Sequence, residues 1–278
     1  MTEFTGQGRR ILVVEDDATN RIVLARQLAM VGVEAEMAGN GKEGLSRWLD
    51  GGVALVLSDL HMPVMDGFGM VRAIRSREAP GARTPVLAFS ADVRIGQAEK
   101  AREAGFDDFL GKPIQLDGLR AVLGRWLASA PVAASGHGGP VNAMPVDVPG
   151  AGPVPVFEAG ALHELVGEEP GLMLEILDYF AEVATGVRDE LLRAAGSGDA
   201  AEAGMLAHRL KSSARSVGAE PLALLCAQLE ESVNAGRREG VGTQVEQMVL
   251  ALDAALEAMR RWRTAQGAQA PDMTRYAL

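Results

Sequence analysis

Residues 54–67 read ALVLSDLHMPVMDG. Ala54–Ser58 is a short apolar run of strand length, and Asp59 stands directly after it. A loop containing Pro63 follows, and the pair Asp66–Gly67 reads as a turn ahead of the amphipathic segment Phe68–Arg77. A lone acid at a strand end is more often a helix cap than a reactive group. The meaning of Asp59 therefore depends on whether the same strand–acid–helix pattern recurs elsewhere in the chain.

It does recur. Ile11–Val14, Val33–Ala38, Pro85–Ala88 and Asp108–Leu110 are further strand-length apolar runs, separated by helix-length segments such as Asn20–Met30 and Gln97–Ala104. Five strands, each followed by a helix, require crossover connections. The expected fold of residues 9–128 is an α/β doubly wound five-stranded parallel sheet, with its functional crevice at the carboxyl ends of the strands.

Glu15 and Asp16 follow the first strand and Asp59 follows the third, so three carboxylates should converge. Like charges about 4–5 Å apart repel by a few kcal/mol at a protein-like dielectric. Such a cluster calls for a cation, and oxygen-only ligands favour Mg²⁺ over zinc or copper. Ser90 follows the fourth strand and Lys112 the fifth, with Pro113 next to it. Acids, one hydroxyl and one lysine suit a phosphoryl group. Asp59 is then a nucleophilic carboxylate that forms an acyl phosphate.

Past this domain the composition shifts. Residues 129–155 hold six of the thirteen prolines and five glycines, with no apolar periodicity, and read as a linker. A flexible chain of that length spans on the order of 30 Å. Residues 156–265 read as helix throughout. Leu172, Ile176, Tyr179, Phe180, Val183, Val187 and Leu191 form one apolar stripe, and segments near 199–217, 221–235 and 241–263 follow, with a shorter helix near 157–166 leading in. Long helices joined by short turns predict an all-α antiparallel four-helix bundle. The tail beyond Thr264 is expected to fray.

His208 lies in AHRLKSSARSVGA, residues 207–219. Leu206, Leu210, Ala214 and Val217 mark the buried side of this helix, and a rotation of about 200° puts His208 on the opposite side. Lys211, Ser212 and Arg215 share that side. An outward imidazole with cations beside it can take a phosphoryl group. An isolated surface histidine usually has no such role; Lys211 and the neighbouring domain are what favour one here. Cys226, between Leu225 and Leu229, reads as a core residue.

The runs ILVVEDD, LVLSDLHMPVMDG, PVLAFSAD and DDFLGKP resemble, in order, the receiver domains of bacterial response regulators. The resemblance implies a flavodoxin-like fold with Asp59 as phosphoacceptor. It implies a magnesium site made by Glu15, Asp16, Asp59 and the backbone carbonyl of His61, with Glu15 replacing the commoner Asp. Ser90 becomes the switch hydroxyl, Phe109 the rotating aromatic and Lys112 the phosphate-contacting lysine, with a cis Lys112–Pro113 bond. The second half resembles the histidine-containing phosphotransfer (HPt) domain, with His208 as phosphohistidine and Lys211 three residues on. Ser212 stands where that family has glycine, and Arg215 where a small residue is frequent.

A formal charge of −10 argues against a nucleic-acid surface. One cysteine fits a reducing compartment, and no apolar run reaches membrane-span length. A cytoplasmic protein is expected. No nucleotide cradle of the G-x-x-x-x-G-K-[ST] form occurs, so the chain is expected not to be an enzyme that makes phosphohistidine from ATP. The partners implied are an upstream sensor histidine kinase and a downstream response regulator. Transfer within one chain, at an effective concentration of about millimolar, and transfer between chains are both compatible with the linker. The competing reading is a phosphorylation-switched binding or scaffold module, with His208 as a phosphate sink.

Overall fold

The computed structural model describes residues 10–91, 95–128, 155–167 and 169–266. The predicted linker, apart from Pro155, lies outside the described residues, as does the tail from 267 on. Contacts divide the chain into two compact units, Met1–Pro149 and Gly150–Leu278.

The first unit alternates strand and helix: β1 (Arg10–Val14), α1 (Ala18–Met30), β2 (Glu34–Ala38), α2 (Gly41–Leu49), β3 (Val53–Ser58), α3 (Gly67–Arg75), β4 (Val86–Ser90), α4 (Ile95–Ala104), β5 (Asp108–Gly111) and α5 (Leu116–Ala128). The strands pair in parallel in the order β2-β1-β3-β4-β5. Side-chain alternation splits the core in two. Ile11, Val13, Leu55, Leu57, Leu87 and Phe89 face Leu24, Leu28, Leu119 and Leu123 of α1 and α5. Leu12, Val14, Val56, Val86 and Ala88 face Met70, Ile74 and Ala101 of α3 and α4, with Leu45 and Trp48 of α2 packed alongside. Helices start where acids and amides cap them: Asp17 accepts from Asn20 N, Asn40 from Glu43 N and Asp66 from Gly69 N.

The order of strands decides where chemistry can happen. The chain moves from β1 to β2 on one side and to β3 on the other, so a crevice opens between the carboxyl ends of β1 and β3. Val14 pairs with Ser58 there, which makes Glu15 and Asp59 neighbours. At the far side Ser90 pairs with Gly111, and Lys112 N donates to Ser90 O at 2.9 Å.

The second unit is helical: α6 (Ala159–Val166), α7 (Pro170–Ser197), α8 (Ala200–Ser216), α9 (Glu220–Asn234) and α10 (Val241–Ala265). α7 and α9 each pack on both α8 and α10, closing four helices around a shared core. Cross-links between neighbours give the directions. Arg188 meets Asp253 while Arg263 meets Asp178, so α7 and α10 are antiparallel. Cys226 meets Met248 while Ser232 meets Gln244, so α9 and α10 are antiparallel too. In α7 the stripe holds at Leu172, Ile176, Phe180, Val187 and Leu191, but Ala184 is fully buried in place of the expected Val183. Gly218 ends α8 at φ +82°, and a Cβ there would lie 2.0 Å from Glu158 O, so the chain entering α6 rests directly on this turn. Among the described residues no helix is long and apolar enough to cross a membrane.

Candidate functional site

The strand ends bring the predicted acids together. One carboxylate oxygen each from Glu15, Asp16 and Asp59 lie within 4.8 Å of one another. Glu15 and Asp59 are buried, and Asp16 is half-buried at the mouth. Lys112 reaches across from β5, and its ammonium donates to Glu15 Oε2 and Asp59 Oδ2, both at 2.5 Å. Asp59 Oδ1 accepts from the backbone N–H of Leu60 at 2.5 Å and of His61 at 3.2 Å. Ser90 is buried at the end of β4. Phe109 is half-buried against the α3–α4 side of the sheet. The Lys112–Pro113 bond is cis.

Electrostatics follow from burial. Burial pushes Glu15 up to about 8; the nearby Lys112 charge opposes this, and Asp59 adds to it. Burial works against the Lys112 charge, but Asp59 and Glu15 outweigh it and hold the ammonium above the ordinary lysine range. The donor set is all oxygen, as a hard divalent cation requires. Glu15, Asp16 and Asp59 fit magnesium in number and charge. Asn20 donates to Glu15 Oε1 at 3.4 Å, and Arg21 holds the carbonyls of Glu15 and Asp16 at 2.7 and 2.8 Å. Neither Asn20 nor Arg21 was singled out in sequence as part of this site.

The loop after Asp59 is pinned. Gly67 N donates to Leu60 O at 3.0 Å, Gly41 N to Met65 O at 3.0 Å and Met65 N to Pro63 O at 2.8 Å. A Cβ on Gly67 would sit 2.1 Å from Asp59 O, so the Asp66–Gly67 pair is more than a turn: it lets α3 start against the carbonyl of Asp59 itself. The Met65–Pro63 bond closes a three-residue turn centred on Val64, the one non-glycine with positive φ (+70°) among the described residues. A β-branched residue there costs on the order of 1–3 kcal/mol. The His61 ring points out and meets Phe68 edge-on, with centroids 6.1 Å apart.

In the second unit Leu206, Leu210, Ala214 and Val217 are buried as expected, and the His208 side chain is 20% exposed. The surroundings of His208 differ from expectation. Lys211 and Ser212 are buried and do not share an open face with it, because α9 covers the flank of α8. Glu230 of α9, 22 residues away, accounts for this. Its Oε1 lies 2.8 Å from His208 Nδ1, and its Oε2 accepts from Lys211 Nζ at 2.5 Å. Burial disfavours the Glu230 carboxylate, but His208 and Lys211 overcome this and hold it at about 2. An ionised carboxylate can only accept, so the proton of this contact sits on Nδ1, and in the neutral ring that leaves the lone pair on Nε2. Arg215 is half-buried, 3.4 Å from Glu220. Cys226 is a core residue beside Met248, its thiol pushed up to about 12 by burial.

Comparison with known proteins matches these two units to two families. Residues 11–124 match the response regulator receiver domain and residues 175–262 the Hpt domain. The virulence sensor protein BvgS of Bordetella bronchiseptica is 30% identical over 264 residues, which is 91% of this chain and 21% of that protein. The sensor histidine kinase RcsC of Escherichia coli is 34% identical over 113 residues, 41% of this chain and 12% of that protein. The chain thus spans about a fifth or less of the length of these relatives. Among solved structures, the receiver domain of a Pseudomonas aeruginosa sensor histidine kinase with magnesium in its active-site cleft is 31% identical, covering 44% of this chain and 99% of that one at a TM-score of 0.41. The two matched domains together occupy most of the chain, which joins a response regulator receiver domain at 11–124 to an Hpt domain at 175–262.

Proposed function

We propose that the chain passes a phosphoryl group through Asp59 and His208. The observation that carries this reading is the pairing of two prepared acceptors. Asp59 has one oxygen held by two backbone N–H groups and the other by Lys112. His208 has its Nδ1 held by Glu230, which leaves Nε2 as the nucleophilic nitrogen.

The first step brings a partner kinase's phosphohistidine to the β1–β3 crevice. A carboxylate oxygen of Asp59 attacks phosphorus, the P–N bond breaks, and the imidazole leaves with the electron pair. Lys112 stays charged in the pocket and neutralises the phosphoryl oxygens, and the Ser90 hydroxyl donates to one of them. Glu15, Asp16, Asp59 and the carbonyl of His61 would hold Mg²⁺, whose charge offsets that of the crowded acids and the phosphoryl group. In the second step Nε2 of His208 attacks an aspartyl phosphate, the P–O bond breaks, and the carboxylate leaves. Glu230 accepts from Nδ1–H throughout and stabilises the ring as it gains positive character. Phosphohistidine 208 then serves a downstream response regulator. The domains run over 9–128 and 156–265 in this reading, joined by the 129–155 linker, with Phe109 and Ser90 reporting phosphorylation to the receiver surface.

The test uses the contrasting lability of the two linkages, since acyl phosphate is lost in base and phosphohistidine in acid. Radiolabel delivered by a kinase partner should appear in both forms. Asp59→Asn should abolish the acid-labile label, and His208→Gln should raise the base-labile one. Label at His208 that survives Asp59→Asn would reverse the order proposed, and no label at either residue would leave a scaffold.

A further inference from the structure

Val64 stands out because its backbone and side chain conflict. At φ +70° glycine would adopt the same turn without steric cost, yet the residue is a β-branched valine. Packing offers no compensation, since Val64 is 81% exposed, the most of any large apolar residue described. The turn does not wander either, because the bonds of Met65 and Gly67 on one side and the amides on Asp59 Oδ1 on the other fix it. The loop therefore holds a stiff apolar group outward beside the mouth of the Asp59 pocket.

We infer that Val64 is a docking residue for a phosphohistidine-bearing helix pair. Building on the relay reading, it names the surface that a protein donor touches. A donor to Asp59 has to bring its imidazole over the ends of β1 and β3, so its surface covers the loop that Val64 crowns. The second unit shows what such a donor face looks like. Three residues before His208 on α8, and so on the same face, stands Met205, 65% exposed. An exposed, flexible apolar side chain beside the histidine is the counterpart an exposed isopropyl group fits. A side chain with one stiff χ angle loses little entropy when it is covered. A small-molecule phosphodonor reaches the same carboxylate without covering the loop.

That difference is the test. The acceptor is the full chain carrying His208→Gln, with Val64, Val64→Gly or Val64→Ile. One donor is acetyl phosphate with Mg²⁺. The other is the full chain carrying Asp59→Asn, phosphorylated on His208 with phosphoramidate; its P–N bond breaks as the P–O bond to Asp59 forms. Val64→Gly should keep its melting temperature or raise it, and should label from acetyl phosphate within about twofold of the Val64 acceptor. Its labelling from the phosphorylated chain should fall about tenfold below saturation and recover at high acceptor concentration, while Val64→Ile keeps the native rate. Equal protein-to-protein transfer for Val64 and Val64→Gly would overturn the inference. So would an equal loss with acetyl phosphate, or no transfer from the phosphorylated chain to a Val64 acceptor that acetyl phosphate labels. Failure of acetyl phosphate to label Asp59 at all would bring down the relay reading, and this inference with it.

Discussion

Glu230 changes how His208 has to be read. Seen along α8 alone, the histidine is an outward imidazole with a lysine on its face. In the fold a carboxylate from α9 takes both the Nδ1 contact and the ammonium. Glu230→Ala should therefore slow phosphorylation of His208 by about 10- to 100-fold, the scale on which the partner of a histidine's other nitrogen acts. Glu230→Gln keeps an oxygen that accepts from Nδ1–H and should lose much less; rapid-quench transfer assays on the two variants separate orientation from charge. The same contact predicts acid sensitivity. The Glu230 carboxyl is held at about 2 in the folded unit, below the ordinary 4.5, so its stabilisation is present above pH 4.5 and is lost as the pH falls toward 2. Circular dichroism should show the native chain losing helix stability through that window. Glu230→Gln should flatten this part of the profile.

Individual elements are placed by close approaches that periodicity does not encode. α3 begins where Gly67 lies against Asp59 O, and Gly67→Ala should force the loop after Asp59 outward. A loss of about 1–3 kcal/mol in thermal or urea unfolding is expected, together with slower acetyl phosphate labelling of Asp59. α6 is held differently, by the turn between α8 and α9. Gly218→Ala combines a positive φ with a Cβ aimed at Glu158 O, and should cost about 2–5 kcal/mol without altering Asp59 labelling. The elements themselves were legible from residue pattern. The five strands and the long helices fall close to the expected ranges because short continuous apolar runs mark strands buried on both faces and 3.6-residue stripes mark a helix. Val183 and Ala184 show the limit: the larger residue was expected inside, and the crossing of neighbouring helices admits the smaller one.

At the scale of the whole molecule, the proposed relay puts two unlike chemistries on one chain, and they should separate under chelation. Asp59 sits among acids that could hold a divalent cation, whereas His208 lies against Glu230, which also binds Lys211. Excess EDTA should suppress labelling of Asp59 at least a hundredfold and leave phosphohistidine already formed at His208 intact, as measured by acid and base treatment of labelled protein. Equal loss of both labels would place the cation requirement outside the acidic pocket.

Taken alone, the order of residues determined that Glu15, Asp59, Ser90 and Lys112 would meet. Each follows a strand, and a parallel sheet gathers strand ends on one edge whatever the details of packing. It also determined which side of α8 enters the core. Only the tertiary structure decided that Glu230 holds His208, that Lys211 is buried, that Gly67 touches Asp59 and that Val64 is strained. Periodicity states which face of an element is covered. What covers it depends on how separate elements cross, and that is a property of distances in the folded chain.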